Sequence, residues 1–246
     1  MVGEFPALQG TMGRYYAEAD GEETAVCVAL EEFYKPRYSG DTCPETSVGA
    51  CVAFADRLDT LVGIFGAGSA PTGDKDPYAL RRAALGLLRI LIEGDIDIDL
   101  RSAIDIAFQS YGNLDLLENT PDSVFTFVRE RMRGYFLDQG ILPDVCTAVF
   151  VNDPSGPAET ARRLKAVRKF RDMGSGAALS KANKRIVNIL KKLKTAPDQE
   201  ISKTLLVEPE EKTLVRQYEL LSAQAENLLE RHSYSEYMEL LSTLHE

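Results

Sequence analysis

Asp56 and Asp59, in the segment ADRLDT (Ala55–Thr60), fall within one turn of each other on a helix. They read as capping or ion-pair residues, because a water-activating metal site here would call for histidines beside them. The chain has two, His232 and His245, both near its C-terminal end, and no His-Asp dipeptide. The same shortage leaves the first 231 residues without a Ser-His-Asp or Cys-His nucleophile. GSAPTG (Gly68–Gly73) has the glycine spacing of a phosphate-cradling loop, yet Asp74 follows where the lysine belongs, and its carboxylate repels phosphate. DIDIDL (Asp95–Leu100) starts like a calcium loop, but the sixth position is Leu100 instead of Gly and the twelfth is Ile106 instead of Glu. It reads better as an extended connection whose Asp97 or Asp99 caps the next helix. Cys27, Cys43, Cys51 and Cys146 form no C-x-x-C pair and are expected as free, mostly buried thiols. No residue is assigned to catalysis or to a metal.

The basic residues carry the stronger signal. The 246-residue chain has a net charge of −10, which by itself disfavours a polyanionic partner. Twelve of its 28 Lys and Arg residues nevertheless fall between Arg162 and Lys194, where Asp172 is the sole acid. Such local asymmetry is the footprint of a nucleic-acid contact. A solvated helix face is the alternative for this band. No apolar run approaches the ~18 residues of a membrane span, and MVGEFPALQG lacks the charged and apolar regions of a signal peptide. A soluble, cytoplasmic protein is expected, with no membrane partner.

Helices must position these residues. Thr24–Tyr34 carries Val26, Ala29, Leu30 and Phe33 on one face and stops at Lys35-Pro36. Val48–Phe65 shows an apolar stripe of Val48, Val52, Ala55, Leu58, Leu61 and Val62. Asp76 and Pro77 predict a helix start, as cap and first-turn proline, followed by a stripe of Leu80, Ala84, Leu87, Leu88 and Leu91. Ala83 and Gly86 are small enough to admit a neighbouring helix, and Arg81, Arg82 and Arg89 lie off the stripe. Further helices are expected over Leu100–Tyr111, Ser123–Leu137, Glu159–Met173, Ala177–Lys194, Pro209–His232 and Tyr234–His245. VNDPSGPAET (Val151–Thr160) has the composition of a linker. The fold class is all-α. Phe170 belongs with Leu164 and Val167 in an apolar stripe, which leaves no aromatic in the basic band for base stacking.

Four segments, GEFPALQGTMGRYYAEADGE (Gly3–Glu22), YKPRYSGDTCP (Tyr34–Pro44), ADRLDTLVGIFGAGSAPTGDKDPYALRRAALGLLRI (Ala55–Ile90) and ANKRIVNIL (Ala182–Leu190), closely resemble the beta subunit of bacterial glycyl-tRNA synthetase. The helical Asp of ADRLDT also resembles the last metal ligand of the HD phosphohydrolase superfamily. The resemblance implies an HD-like helical domain without metal ligands over 1–112, a helical connector over 113–155 and a DALR-type anticodon-binding-like helical bundle over 156–246. The family's subunit is much longer, so the chain is expected to be a piece of it, with Met1 an introduced start and the last domain truncated. ATP and glycine are then handled on the alpha subunit, in a heterotetramer of two alpha and two beta chains, while this part binds glycine tRNA and is itself non-catalytic. The implied tRNA contacts are Arg81, Arg82, Arg162, Arg163, Lys165, Arg168, Lys169, Asn183, Lys184 and Arg185. Gly73–Ile90 reads chiefly as a scaffold signature of the HD-like domain. The competing functions are an HD-type metal-dependent phosphohydrolase and a helical protein-interaction module.

Overall fold

The helical periodicity of the sequence is carried into a computed structural model that describes residues 4–154, 156–192 and 201–243. Among the described residues there are eleven α-helices and no strand beyond an isolated bridge between Thr72 and Lys75. They fall into two compact units, Met1–Cys146 with Asn152–Thr160, and Thr147–Val151 with Ala161–Glu246.

In the first unit, α1 (Thr11–Asp20) packs on α2 (Thr24–Glu32), and α2 on α3 (Ser47–Gly66). The long α3 also packs on α4 (Leu80–Glu93), α5 (Leu100–Ser110) and α6 (Thr120–Asp138), so it is the axis of this unit. Leu61, Val62, Leu80, Leu87, Leu88, Leu91, Ile104, Val124 and Val128 fill the space between these helices and are fully buried. Each side chain of that size contributes about 1.5–3 kcal/mol on burial, so this is the main source of cohesion.

Two expected stripes are rotated. On α2 the buried residues are Cys27, Ala29 and Glu32, while Val26 and Leu30 are exposed. On α3 the buried face runs through Gly49, Ala50, Ala53 and Arg57 before joining Leu58, Leu61 and Val62, while Val48, Val52 and Ala55 face outward. The physical reason is that small residues let neighbouring chain approach closely: Ala50 and Ala53 cluster with Ile90 of α4, with Cys43, Phe54 and Ile96 against them. Glu32 is only 3% exposed. Its carboxylate accepts the Glu45 and Thr46 amides at 2.8 and 3.1 Å and the Thr46 hydroxyl, while Thr46 Oγ1 caps α3 by accepting the Gly49 amide. A Cβ on Gly49 would lie on Glu32. Burial acts to raise the Glu32 carboxyl, but the hydrogen bonds outweigh it and hold it below its ordinary value.

The start of α4 also differs from the expected cap. Ala79, at φ 54°, precedes the first residue Leu80, and Pro77 lies in the turn before it. Asp76 still satisfies the helix's free amides, accepting from Leu80 N at 2.8 Å and Arg81 N at 3.0 Å. Asp99 caps α5 as expected, through the Ser102 amide at 2.7 Å. Within the segment expected as a connector, residues 113–155, α6 packs against α3, α4 and α5, and α7 (Pro143–Phe150) follows it. The second half of the stretch expected as a linker, Val151–Thr160, is not exposed chain. Gly156 through Thr160 are buried, because glycine lets the chain lie on the Ile98 carbonyl, where a Cβ would collide with the oxygen. Arg129 pairs with Asp153 at 2.6 Å just before this point; Ser155 lies outside the described residues.

The second unit holds Thr147–Val151 and then the chain from Ala161 onward, within α8 (Pro157–Asp172), followed by α9 (Gly174–Leu190), α10 (Pro209–Glu230) and α11 (Tyr234–Ser242). A reciprocal capping box of Glu208 and Glu211 starts α10. Helix α11 packs on α10 and α9. Leu164 is buried and Val167 and Phe170 half-buried, in keeping with the stripe read from the sequence. The expected end of the helix from Ala177 at Lys194, and His245, lie outside the described residues.

Candidate nucleic-acid interface

In the first unit, Arg81 and Arg82 open onto a cleft of about 760 Å³. Its walls come from three separated stretches: Pro36–Gly40 after α2, one face of α4 with Leu85, Gly86, Arg89 and Glu93, and the end of α6 with Tyr135, Asp138 and Gln139. The four arginines of the lining differ in what holds them. Arg37 donates to the buried Asp41 carboxylate at 2.9 Å, and Arg89 donates to the Asp41 carbonyl at 2.6 Å and to Glu93 at 2.6 Å. Asp41 therefore fixes both walls at once. Its carboxyl is lowered to about 2, first by the Arg37 guanidinium and against the opposing effect of burial. Arg81 turns back to the Gly73 carbonyl and lies 4.0 Å from Asp76. Arg82 is exposed and makes no hydrogen bond or ion pair among the described residues.

Beneath this cleft lies a residue the sequence reading passed over. Arg57, 9% exposed, sends Nη1 to the carbonyls of Ala53 (2.8 Å) and Phe33 (3.3 Å). Its Nη2 donates to Lys35 (2.8 Å), Tyr34 (3.1 Å) and Pro36 (3.3 Å). One guanidinium thus closes the end of α2 and shapes the Pro36 corner of the cleft. Burial pulls its proton affinity down, with Asp56 acting in the opposite direction. The signal in the sequence was Gly86, whose small size makes room for this side chain rather than for a helix backbone.

In the second unit the basic band divides by role. Arg163 stacks 4.9 Å from the Tyr234 ring, and Lys169 pairs with Glu239 at 2.5 Å, so both tie α8 to α11. Arg162 and Lys165 line a hollow of about 190 Å³ with His232, Ser233, Tyr234, Ser235 and Glu236. Lys165 and Arg168 on α8 are exposed, as are Lys181, Asn183, Lys184 and Arg185 on α9. Lys181, Lys184 and Arg185 are three and four residues apart and share a face. Lys194, the last residue of the band, lies outside the described residues.

The carboxylate pair of α3 does different work from that of a metal site. Asp59 accepts the Tyr111 hydroxyl at 2.8 Å, which ties α3 to the end of α5, and Asp56 is exposed. Among the described residues no three His, Cys, Asp or Glu side chains come together as metal ligands. His232 Nδ1 shares a 3.0 Å hydrogen bond with the Tyr234 hydroxyl. All four cysteines are free; Cys27 and Cys146 are buried, and Cys51 is exposed. Among the described residues no helix is long and apolar enough to cross a membrane.

Comparison with known proteins places these features in a family. The model of the glycyl-tRNA synthetase beta subunit matches residues 1–151. The glycine–tRNA ligase beta subunit of Shewanella piezotolerans is 46% identical over 246 residues, covering 100% of this chain and 36% of the relative. Its counterpart in Acinetobacter baylyi is 44% identical over 246 residues, covering 99% of this chain and 35% of the relative. That of Colwellia psychrerythraea is 42% identical over 244 residues, covering 99% of this chain and 36% of the relative. The chain spans about a third of the length of these curated relatives. It belongs to the glycyl-tRNA synthetase beta subunit family.

Proposed function

We propose that this chain is a tRNA-binding, non-catalytic part of a glycine–tRNA ligase beta subunit. It supports the ATP-dependent attachment of glycine to its tRNA, with the activation site on an alpha subunit and the two chains assembled as a heterotetramer of two alpha and two beta. Residues 1–112 serve as the HD-like domain, 113–155 as a helical connector and 156–246 as the start of an anticodon-binding-like bundle, in the cytoplasm. The observation that carries the reading is the predominantly basic surface of α8 and α9, on which Asp172 is the one exposed acid among the described residues. Lys165, Arg168, Lys181, Lys184 and Arg185 are exposed on successive helices of a chain whose net charge is −10. Such residues neutralise phosphates and release counterions.

The test uses the full-length beta subunit with its alpha subunit and the substitutions Lys165→Glu, Arg168→Glu, Lys184→Glu and Arg185→Glu together. Glycine-dependent ATP–pyrophosphate exchange is expected to stay within about twofold of the parent, while charging of tRNA falls more than tenfold (about 1.4 kcal/mol). Exchange and charging falling together would place these residues in activation instead, and unchanged charging would remove them from the RNA path.

A further inference from the structure

We infer that the arginine cleft of the first unit is a pocket for a single unstacked nucleotide of an RNA strand, and not a surface that tracks backbone phosphates alone. The inference rests on the tRNA-binding reading and narrows it. Three features support it.

The first is size. A cleft of about 760 Å³ falls in the range of about 300–1,000 Å³ that holds small organic ligands, well beyond what one phosphate fills. The second is the division of its walls. Arg82 has no partner among the described residues, and Arg81 is held only by a backbone carbonyl and a carboxylate 4.0 Å away, so the positive charge open to a ligand sits at one side. Arg37 and Arg89 are already bound to Asp41 and Glu93 and act as fixed walls. Glu93 and Asp138 are the acids of the lining, and with Asp41 and Asp76 set against Arg37 and Arg81 the cation left for a ligand is Arg82. The third is the presence of ring-stacking and edge-reading groups in the same cleft. Tyr38 and Tyr135 bring aromatic rings to the lining, the first with the Arg37 guanidinium 5.8 Å from its centroid, and Gln139 an amide able both to donate and to accept.

A phosphate at Arg82 and a base against tyrosine require a nucleotide that shows both parts at once. Duplex RNA keeps its bases stacked inside, whereas a loop or strand end splays them onto aromatic side chains. Stacking of this kind is worth about 1–3 kcal/mol per base. The sequence shows no such site because Arg82 and Tyr135 are brought together only by the packing of α4 and α6, and the Tyr38 stretch only by the bond from Arg89 to the Asp41 carbonyl.

The experiment titrates the 246-residue chain with AMP, GMP, CMP and UMP, with inorganic phosphate, and with a single-stranded oligoribonucleotide, by calorimetry and NMR. At least one mononucleotide is expected to bind tenfold or more tightly than phosphate and to be displaced by the oligonucleotide. Arg82→Glu should weaken it at least tenfold without changing the melting temperature, since Arg82 has no partner to lose, and Tyr135→Leu should weaken it severalfold. The α8–α9 charge reversals should leave mononucleotide binding unchanged. Phosphate binding as tightly as every nucleotide would overturn the inference, as would nucleotide binding that the oligonucleotide does not displace. If no nucleotide binds while tRNA still binds through α8 and α9, the cleft inference falls and the wider reading stands. If mononucleotides bind but tRNA does not, the RNA reading falls and the inference falls with it.

Discussion

Gly86 of α4 and Arg57 of α3 share one space: a Cβ added to the glycine would stand 2.6 Å from Arg57 Nε. The guanidinium cannot swing away, because its two terminal nitrogens are pinned by five backbone carbonyls. Gly86→Ala is therefore expected to destabilise the chain by about 1–3 kcal/mol through overpacking, despite gaining roughly 1 kcal/mol of helix propensity. In an Arg57→Ala background the same substitution should be neutral or stabilising. Urea unfolding of the four variants of this cycle measures the coupling, and additive effects would contradict the shared space.

Removing Arg57 leaves buried carbonyls without donors. Arg57→Met keeps much of the side chain's length and should cost about 2–4 kcal/mol, the penalty for several unsatisfied acceptors. Arg57→Lys should recover only part of this, since an ammonium cannot span carbonyls on both Ala53 and Pro36. Denaturant midpoints check the order of parent, Lys and Met.

Asp41 makes acid stability testable. Its folded carboxyl is lowered to about 2, against an unfolded value near 3.9. A lowered folded value means the unfolded chain takes up protons first as pH falls. The stabilisation is therefore complete above about pH 4 and is lost as pH drops through about 2. It amounts to roughly 1–2 kcal/mol once solvent screening is allowed for. Asp41→Asn should remove this pH dependence between about 4 and 2 and loosen Arg37, while the backbone carbonyl that holds Arg89 stays in place. Thermal melts of parent and variant across that window read the difference, and parallel curves would count against it.

Glu32 gives a simpler prediction. Its carboxylate receives three donors at the start of α3. Glu32→Gln replaces one accepting oxygen with a donating NH2 that faces them, so a loss of about 1–3 kcal/mol is expected. Thr46→Ser, which keeps both the hydroxyl donor to Glu32 and the cap of α3, should lose less. Equal losses would mean that the carboxylate's hydrogen bonds do not organise this corner.

Much of the architecture was legible from apolar spacing. The stripe of α4 and the cap of α5 agree with their expectations because leucines and an aspartate determine them locally. The faces of α2 and α3 agreed only in part: Ala29, Leu58, Leu61 and Val62 are buried as expected, but the buried side also carries Glu32, Gly49 and Arg57, residues that a hydrophobic pattern scores as outward. Helix α1 buries only Ala17 and offers no stripe to read, and α7 carries its buried Val145, Cys146, Val149 and Phe150 over barely two turns. The basic band was visible as composition. Its division into Arg163 and Lys169, which hold α11, and Lys165 and Arg168, which stay open, depends on where Tyr234 and Glu239 fall in space.

That division decides which charges to reverse first. Binding of the chain to glycine tRNA, followed by anisotropy across a salt series, should give a log–log slope set by the phosphates engaged. The variant carrying Lys165→Glu, Arg168→Glu, Lys184→Glu and Arg185→Glu should bind more weakly. Its slope should be shallower by about 0.7–0.9 for each phosphate that is no longer neutralised. If parent and variant show the same affinity and the same slope, the exposed basic faces of α8 and α9 do not hold the RNA, and the proposed function fails.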